Sequence, residues 1–245
     1  MKNNISFNSE LCKFGIGLFE TIKVTNRPID FDIHMDRIFN SIKELNLNIK
    51  LERKFIENEI LNYIQNNNII NKALRLTVFD EGYNISTRDI LYTQDMYKKG
   101  FKLNISPIKR GNSILYKHKT TNYFENIYTK NYANENGFDD GIFLNSEGTI
   151  LECSMSNIFF IKDDIVLTPS SNLPILNGTK KKRIIETCQE LNIKVEETEI
   201  NVNEIHKFDF IFISNSLMGA MKVAQIEDIL YDDKNIIFDR IVQAL

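Results

Sequence analysis

Between residues 109 and 119 the chain reads KRGNSILYKHK, a polar stretch interrupted by Gly111, and the apolar pattern differs on its two sides. That change makes 109–119 the expected linker, with one domain over 1–108 and another over 120–245. On the N-terminal side LFETIKV (18–24) is β-branched and aromatic enough for a strand, and Pro28 fixes the backbone of the turn that follows. From His34 the apolar positions Met35, Ile38, Phe39, Ile42 and Leu45 recur three and four residues apart, the spacing of one buried helical face, with Asp32 as the expected N-cap. A second helix over 52–65 precedes strands ALRLTVF (73–79), STRDILYT (86–93) and FKLNISPI (101–108). This half reads as α+β with an antiparallel sheet.

Past the linker, a helix over 122–136 stops at Gly137, and short strands follow at GIFLN, TILEC, NIFFI and IVLTP. LNGTKKKRIIETCQELNI (176–193) puts a glycine turn before a helix. KVEETEI, FDFIFIS and MKVAQIED close the chain as strands around a short helical turn at 203–206. No repeat is present.

Composition narrows the partners. The 245 residues carry a net charge of -3, with 42% hydrophobic and 26% charged residues, the balance of a soluble globular chain. No Lys/Arg block gives an electrostatic basis for nucleic acid or an acidic membrane, so a small molecule is the expected partner. No apolar run reaches the ~20 residues needed to span a bilayer, and MKNNISFNSE lacks the features of a signal peptide. A cytoplasmic location is expected. Cys12, Cys153 and Cys188 are odd in number and far apart, and His34, His118 and His206 are equally scattered, so neither a disulfide framework nor a sequence-local metal site is expected.

Several residues have the chemistry of a site, each with a plainer reading beside it. FGIGLFE (14–20) leads into a strand and lacks a third glycine, so it reads as a turn with close backbone approach and not as a dinucleotide fingerprint. Lys119, in HKTTNY at the entrance to a helix, is either a solvated charge or an amine whose ammonium form the helix dipole disfavours. Glu152, in ILECSMSNIFF with apolar neighbours on both sides, is either a buried, paired carboxylate or a turn-stabilising acid. Arg37, one turn after His34, reads as the partner in a surface ion pair. NGTKK (177–181) offers free N–H groups at a helix start and Ser216 a hydroxyl at a strand end, and each is an anion site or only a turn.

Taken in order, these segments resemble the class IV aminotransferases, pyridoxal 5'-phosphate enzymes of fold type IV. FGIGLFETIKV and HMDRIFNSIKEL are similar to that family's first strand and its helix with His and Arg three apart. KTTNY, GFDDGIFLNSEGTILECSMSNIFFI, LTP, ILNGT and FDFIFISNSLMGAMKV follow in the family's order. The resemblance implies an α+β fold of two α/β domains, the C-terminal one barrel-like, with the active site in the cleft between them, and a homodimer. It implies that Lys119 bonds the cofactor aldehyde, that Glu152 faces the pyridine nitrogen, and that Tyr123 bonds the phenolic oxygen. It further implies that Arg37, Thr179, Lys180 and Ser216 hold the phosphate, that Leu176 packs on the ring, and that Asn157 is a polar residue in the turn of Glu152. The family's usual Gly-Ile-Thr-Arg is Gly178, Thr179, Lys180 and Lys181 here, a departure at the phosphate end. Within the family, GLFETIKV, HKTTNY and NSLMGAMKV look most like the 4-amino-4-deoxychorismate lyases. Aminotransfer on D-amino or branched-chain amino acids, and a cofactor-binding protein without turnover, are the alternatives.

Overall fold

Ser9, Gly15 and Gly17 set the start of the first strand in the computed structural model, which describes residues 1–245. The Ser9 hydroxyl caps α1 (Glu10–Phe14) by accepting from the Leu11 N–H, and Gly15 ends it at φ +69, a conformation that a Cβ would strain. After α1 come β1 (Gly17–Val24), α2 (Phe31–Glu44), α3 (Arg53–Asn66), β2 (Lys72–Phe79) and β3 (Gly82–Asp89). The three strands form one antiparallel sheet in the order β1-β2-β3. Leu18, Ile22, Leu74, Leu76, Val78 and Ile85 line one face and pack on Met35 and Ile38 of α2 and Ile56 and Ile60 of α3. The helical spacing read from the sequence is the spacing of this core.

Two expectations shift. The N-cap of α2 is Asp30, at φ 52, a left-handed conformation that aspartate tolerates, and Asp32 lies in the first turn. The third strand starts at Gly82, earlier than the expected 86, because Phe79 pairs with Gly82 across a two-residue hairpin turn.

Residues 1–91 and 118–123 form one compact unit, and residues 92–117 and 124–245 the other. The chain therefore divides differently from the expected 1–108, 109–119 and 120–245. In the first unit, residues 118–123 are hooked onto β1. The Phe19 N–H donates to the Lys119 carbonyl and the Thr121 N–H to the Gly17 carbonyl, each at 2.9 Å. The Thr121 hydroxyl donates to the carbonyl of Gly15, and a Cβ on Gly17 would stand 3.1 Å from both that hydroxyl oxygen and the Val78 carbonyl. The glycine pair thus serves close backbone approach, as its spacing suggested. Arg110 is only 3% exposed, Ile114–Lys117 form a 3-10 turn, and 109–117 belongs to the second unit, with Arg110 its buried anchor.

The second unit contains α4 (Gln94–Lys99), β4 (Phe101–Lys109), α5 (Phe124–Glu135), β5 (Asp140–Leu144), β6 (Ile150–Cys153), β7 (Asn157–Lys162) and β8 (Ile165–Pro169). It continues through α6 (Thr179–Glu190), β9 (Val195–Thr198), β10 (Phe210–Asn215), β11 (Gly219–Ile226), β12 (Ile229–Leu230) and α7 (Ile236–Ala244). One sheet runs β6-β5-β4-β11-β10-β7-β8-β9, with β12 on β11. The Ile150 N–H donates to the Ile200 carbonyl at 2.8 Å and Thr149 bridges Asn201, so the ends of this path return to one another and the sheet is curled. Along β7, Ile158 and Phe160 enter one core while Phe159 and Ile161 pack under Ile184 of α6 and Ile237 and Ile241 of α7. Both faces are covered, which is why this strand reads as a continuous apolar run. β4 was expected in the first, antiparallel sheet, but it runs parallel to β5 and β11. Its Phe101 and Leu103 belong to the core of the second unit.

Glu20 stands among the apolar residues of β1 and is fully buried. Burial alone would raise its carboxyl, but Arg37 and His34 outweigh burial and hold it at about 2, below the ordinary 4.5. A carboxyl depressed by folding adds stability above its ordinary value, and that stability is lost as the pH falls through the folded value. Melting followed by circular dichroism should show stability falling away between about pH 4.5 and about pH 2. Glu20→Gln removes the buried charge that Arg37 and His34 face, which lowers stability at neutral pH by about 3 kcal/mol and flattens the acid loss. The same acid slope in both proteins would contradict this.

Candidate active site

In the second unit the site is built around the carboxylate of Glu152, at the end of β6 and 6% exposed. The chain turns back at residues 154–156 to start β7 at Asn157, and buried Asp140 holds this turn. Asp140 accepts from the hydroxyl of Ser154 and, at 2.9 and 3.4 Å, from the N–H groups of Gly141 and Met155. Burial lifts the Asp140 carboxyl above its ordinary value, while Lys130 and these hydrogen bonds act the other way. The returning strand puts Asn157 beside Glu152.

Glu152 is held from several sides. Its Oε1 accepts from Arg110 Nη1 at 2.8 Å, and its Oε2 accepts from the Leu176 N–H at 3.2 Å and from Asn157 Nδ2 at 3.4 Å. Asn157 Nδ2 also donates to the Leu176 carbonyl at 2.9 Å. Glu152, Asn157 and Leu176, singled out from the sequence, are therefore one cluster. Arg110, which the sequence reading placed in a linker, is its fourth member. The Arg110 guanidinium carbon stands 3.6 Å from the centre of the Phe143 ring and 4.5 Å from that of Tyr116, and Nη2 donates to Asn126 Oδ1 at 3.2 Å. A buried carboxylate so paired is the first of the two readings drawn for Glu152.

The segment after Leu176 opens α6. Gly178 is its N-cap and has no side chain to satisfy the first N–H groups of the helix. A Cβ there would lie 2.0 Å from Asn157 Oδ1, so the backbone passes closely over the Glu152 cluster. Thr179 and Lys180 are buried in the first turn. Lys181 is turned elsewhere, its Nζ donating to the Pro169 carbonyl at 2.6 Å, to Glu197 Oε1 at 2.7 Å and to Ser171 Oγ at 3.2 Å. Burial lowers its ammonium from the ordinary lysine value and Glu197 counters that. The lysine in the place of the family's arginine thus ties α6 to the ends of β8 and β9. β10 lies next to β7, with Ser214 paired to Asn157, and the turn that follows carries Ser216. Asn215 Oδ1 fixes that turn by accepting from the N–H groups of Leu217 and Met218 at 3.0 and 2.9 Å.

In the first unit, Lys119 is half-buried. Its Nζ lies 4.5 Å from the centre of the Phe19 ring and 5.2 Å from that of Tyr123, and these two rings meet edge to face at 5.2 Å. The Arg75 guanidinium stands 3.7 Å from the centre of the same Phe19 ring. Arg75 and Lys119 thus both stand against the Phe19 ring. The helix at whose entrance Lys119 was expected, α5, begins at Phe124. Sequence reasoning missed Arg75. The signal was its alternation in ALRLTVF, which puts it on the face opposite Leu74 and Leu76. Arg37 grips Glu20 with both ends of its fork, Nε to Oε1 at 2.7 Å and Nη2 to Oε2 at 2.6 Å, and His34 Nδ1 meets Oε2 at 2.6 Å. Its side chain is 13% exposed, so the pair is largely buried and not the surface pair of the plain reading.

A "Probable branched-chain-amino-acid aminotransferase" of Rickettsia conorii is 29% identical over 221 residues, covering 84% of this chain and 74% of its own. The aminodeoxychorismate lyase of Bacillus subtilis is 23% identical over 239 residues, covering 91% of this chain and 81% of its own. A solved branched-chain amino acid aminotransferase of Escherichia coli shares the fold, with a TM-score of 0.91 at 21% identity over 98% of this chain and 88% of its own. The family model for amino-transferase class IV matches residues 17–226, and the chain belongs to that family, whose enzymes use pyridoxal 5'-phosphate.

Proposed function

We propose that this chain is a 4-amino-4-deoxychorismate lyase, releasing 4-aminobenzoate and pyruvate. The observation that carries the choice is that two of the lyase-like segments are a single structural piece. GLFETIKV is β1, and HKTTNY is hydrogen-bonded along it, so that Lys119, Phe19 and Arg75 come together.

The residues fit the family's cofactor. Both ends of the molecule to be held have a matching group. A buried carboxylate stands at Glu152, and the N–H groups of α6 lie under a Gly178 that a side chain would block. When bound, pyridoxal 5'-phosphate supplies an aldehyde for an amine and a protonated ring that accepts negative charge from the neighbouring carbon. Lys119 Nζ carries the cofactor and then moves the proton at the substrate carbon that bears the amino group. Glu152 faces the ring nitrogen, and Asn157 and Leu176 hold the position of its carboxylate. Tyr123 bonds the phenolic oxygen. Arg37, oriented by Glu20 and His34, shares the phosphate with Thr179, Lys180 and Ser216. Arg75 is suited to a carboxylate of the substrate, beside the amine that does the work.

A class IV aminotransferase is the second reading, favoured by the Rickettsia conorii relative. The two differ in what they need. Aromatisation of the ring drives release of pyruvate, so a lyase returns to its starting state alone, whereas an aminotransferase passes its amino group to a second substrate, a 2-oxo acid.

Assembly as a homodimer and a cytoplasmic location complete the proposal. Phe124, Ile127 and Tyr128, three and four residues apart on α5, are all exposed and form an apolar stripe suited to a second copy. No helix is long and apolar enough to cross a membrane.

The lyase reading predicts many turnovers of aminodeoxychorismate with no 2-oxo acid added, and borohydride should fix the cofactor to the peptide containing Lys119. If aminodeoxychorismate is inert while D-alanine or L-leucine reacts and 2-oxoglutarate restores the starting spectrum, the chain is an aminotransferase. Light scattering of the active protein should give twice the 28.6 kDa of one chain, and a monomer mass would contradict the dimer.

A further inference from the structure

Arg110 has no part in the roles above, yet the structure spends a good deal on it. Its side chain is 3% exposed and lies over Phe143, and a guanidinium taken out of water to this extent needs compensation. Part of that comes from Asn126, whose Oδ1 accepts from Nη2 and whose Nδ2 donates to the Ser154 carbonyl at 2.7 Å, anchoring the arginine to the turn after Glu152. Glu125 Oε2 lies 3.4 Å from Nε. The shortest contact is the one to Glu152 Oε1, at 2.8 Å.

We propose that Arg110 is the positioning residue that keeps Glu152 a carboxylate, so that the proton shared between Glu152 and the cofactor's ring nitrogen rests on the nitrogen. The inference rests on the reading of Glu152 as the partner of that nitrogen. A buried carboxyl facing a ring nitrogen has two arrangements, a carboxylate beside a protonated ring or a neutral acid beside a bare one. Burial favours the neutral pair. A cation at hydrogen-bond distance behind the carboxylate favours the charged pair, because it lowers the proton affinity of the carboxyl and leaves the ring as the better base. The Leu176 N–H and Asn157 Nδ2 act in the same direction but carry no charge. Lys181 is another cation whose field reaches Glu152, and its ammonium is engaged by Glu197. Arg110, a buried cation hydrogen-bonded directly to the carboxylate, is thus the charge assigned to hold the position of the proton.

The test uses the wild-type protein, Arg110→Gln and Arg110→Lys, each loaded with pyridoxal 5'-phosphate carrying nitrogen-15 in the ring and read by nuclear magnetic resonance. Glutamine keeps hydrogen bonds to Glu152 and Asn126 without the charge. Lysine keeps the charge without the fork. The expected result is a protonated ring nitrogen in the wild type and in Arg110→Lys, and a bare one in Arg110→Gln, whose turnover falls about 10²-fold. Near-ultraviolet circular dichroism confirms that each variant is folded. A ring nitrogen still protonated in Arg110→Gln overturns the inference and leaves the reading of Glu152 standing. Loss of the proton in Arg110→Lys overturns it as well, and does so even if Arg110→Gln fails to fold. A wild-type protein that takes up no cofactor, or holds it with a bare ring nitrogen, overturns the reading and the inference together.

Discussion

A carboxylate buried at the end of β6 is costly, and much of the second unit is arranged to make it tolerable. Asp140 holds the turn that brings Asn157 back beside Glu152. Gly178 lets the backbone after Leu176 pass near enough for the Leu176 N–H to reach the same carboxylate. Arg110 supplies the opposite charge, itself held by Asn126 and the rings of Phe143 and Tyr116. The first unit repeats the device with Glu20, whose partners are Arg37 and His34. In each case a buried acid fixes the direction of an arginine.

How much of this the sequence disclosed depended on whether the signal was local. The covered strands β7 and β10 show as apolar runs, and α2 shows through its three- and four-residue spacing, because burial acts on residues close together in the chain. Strand partners are not local. FKLNISPI has the same pattern in an antiparallel sheet as beside β5 and β11, and only the core that receives Phe101 and Leu103 distinguishes them. The C-terminal α7 went unread, although Asn235 caps it by accepting from the N–H groups of Ile237 and Phe238.

The site divides along the same line. Glu152 and Asn157 are five residues apart and were legible as one polar turn between apolar strands. Arg110 looked like a linker residue, since its partner lies 42 residues onward and the polar letters around it hide its burial. Arg75 was one basic residue among 30 until the register of the first sheet set it on the face of Phe19. Lys181 shows the reverse. Its place in the motif suggested a change in phosphate binding, and its contacts show a tie between α6 and the ends of β8 and β9.

The central claim is that the site works through an ionised Glu152, and Glu152→Gln tests it most directly. The amide keeps the shape, and its one oxygen can still accept from Arg110 or from the Leu176 N–H, but it cannot balance a protonated ring. Cofactor content and turnover should be measured on the same preparation. The account predicts full cofactor content with turnover reduced about 10²-fold or more, equivalent to ~3 kcal/mol of lost stabilisation. Wild-type turnover in that variant would contradict it and leave Glu152 a purely structural acid.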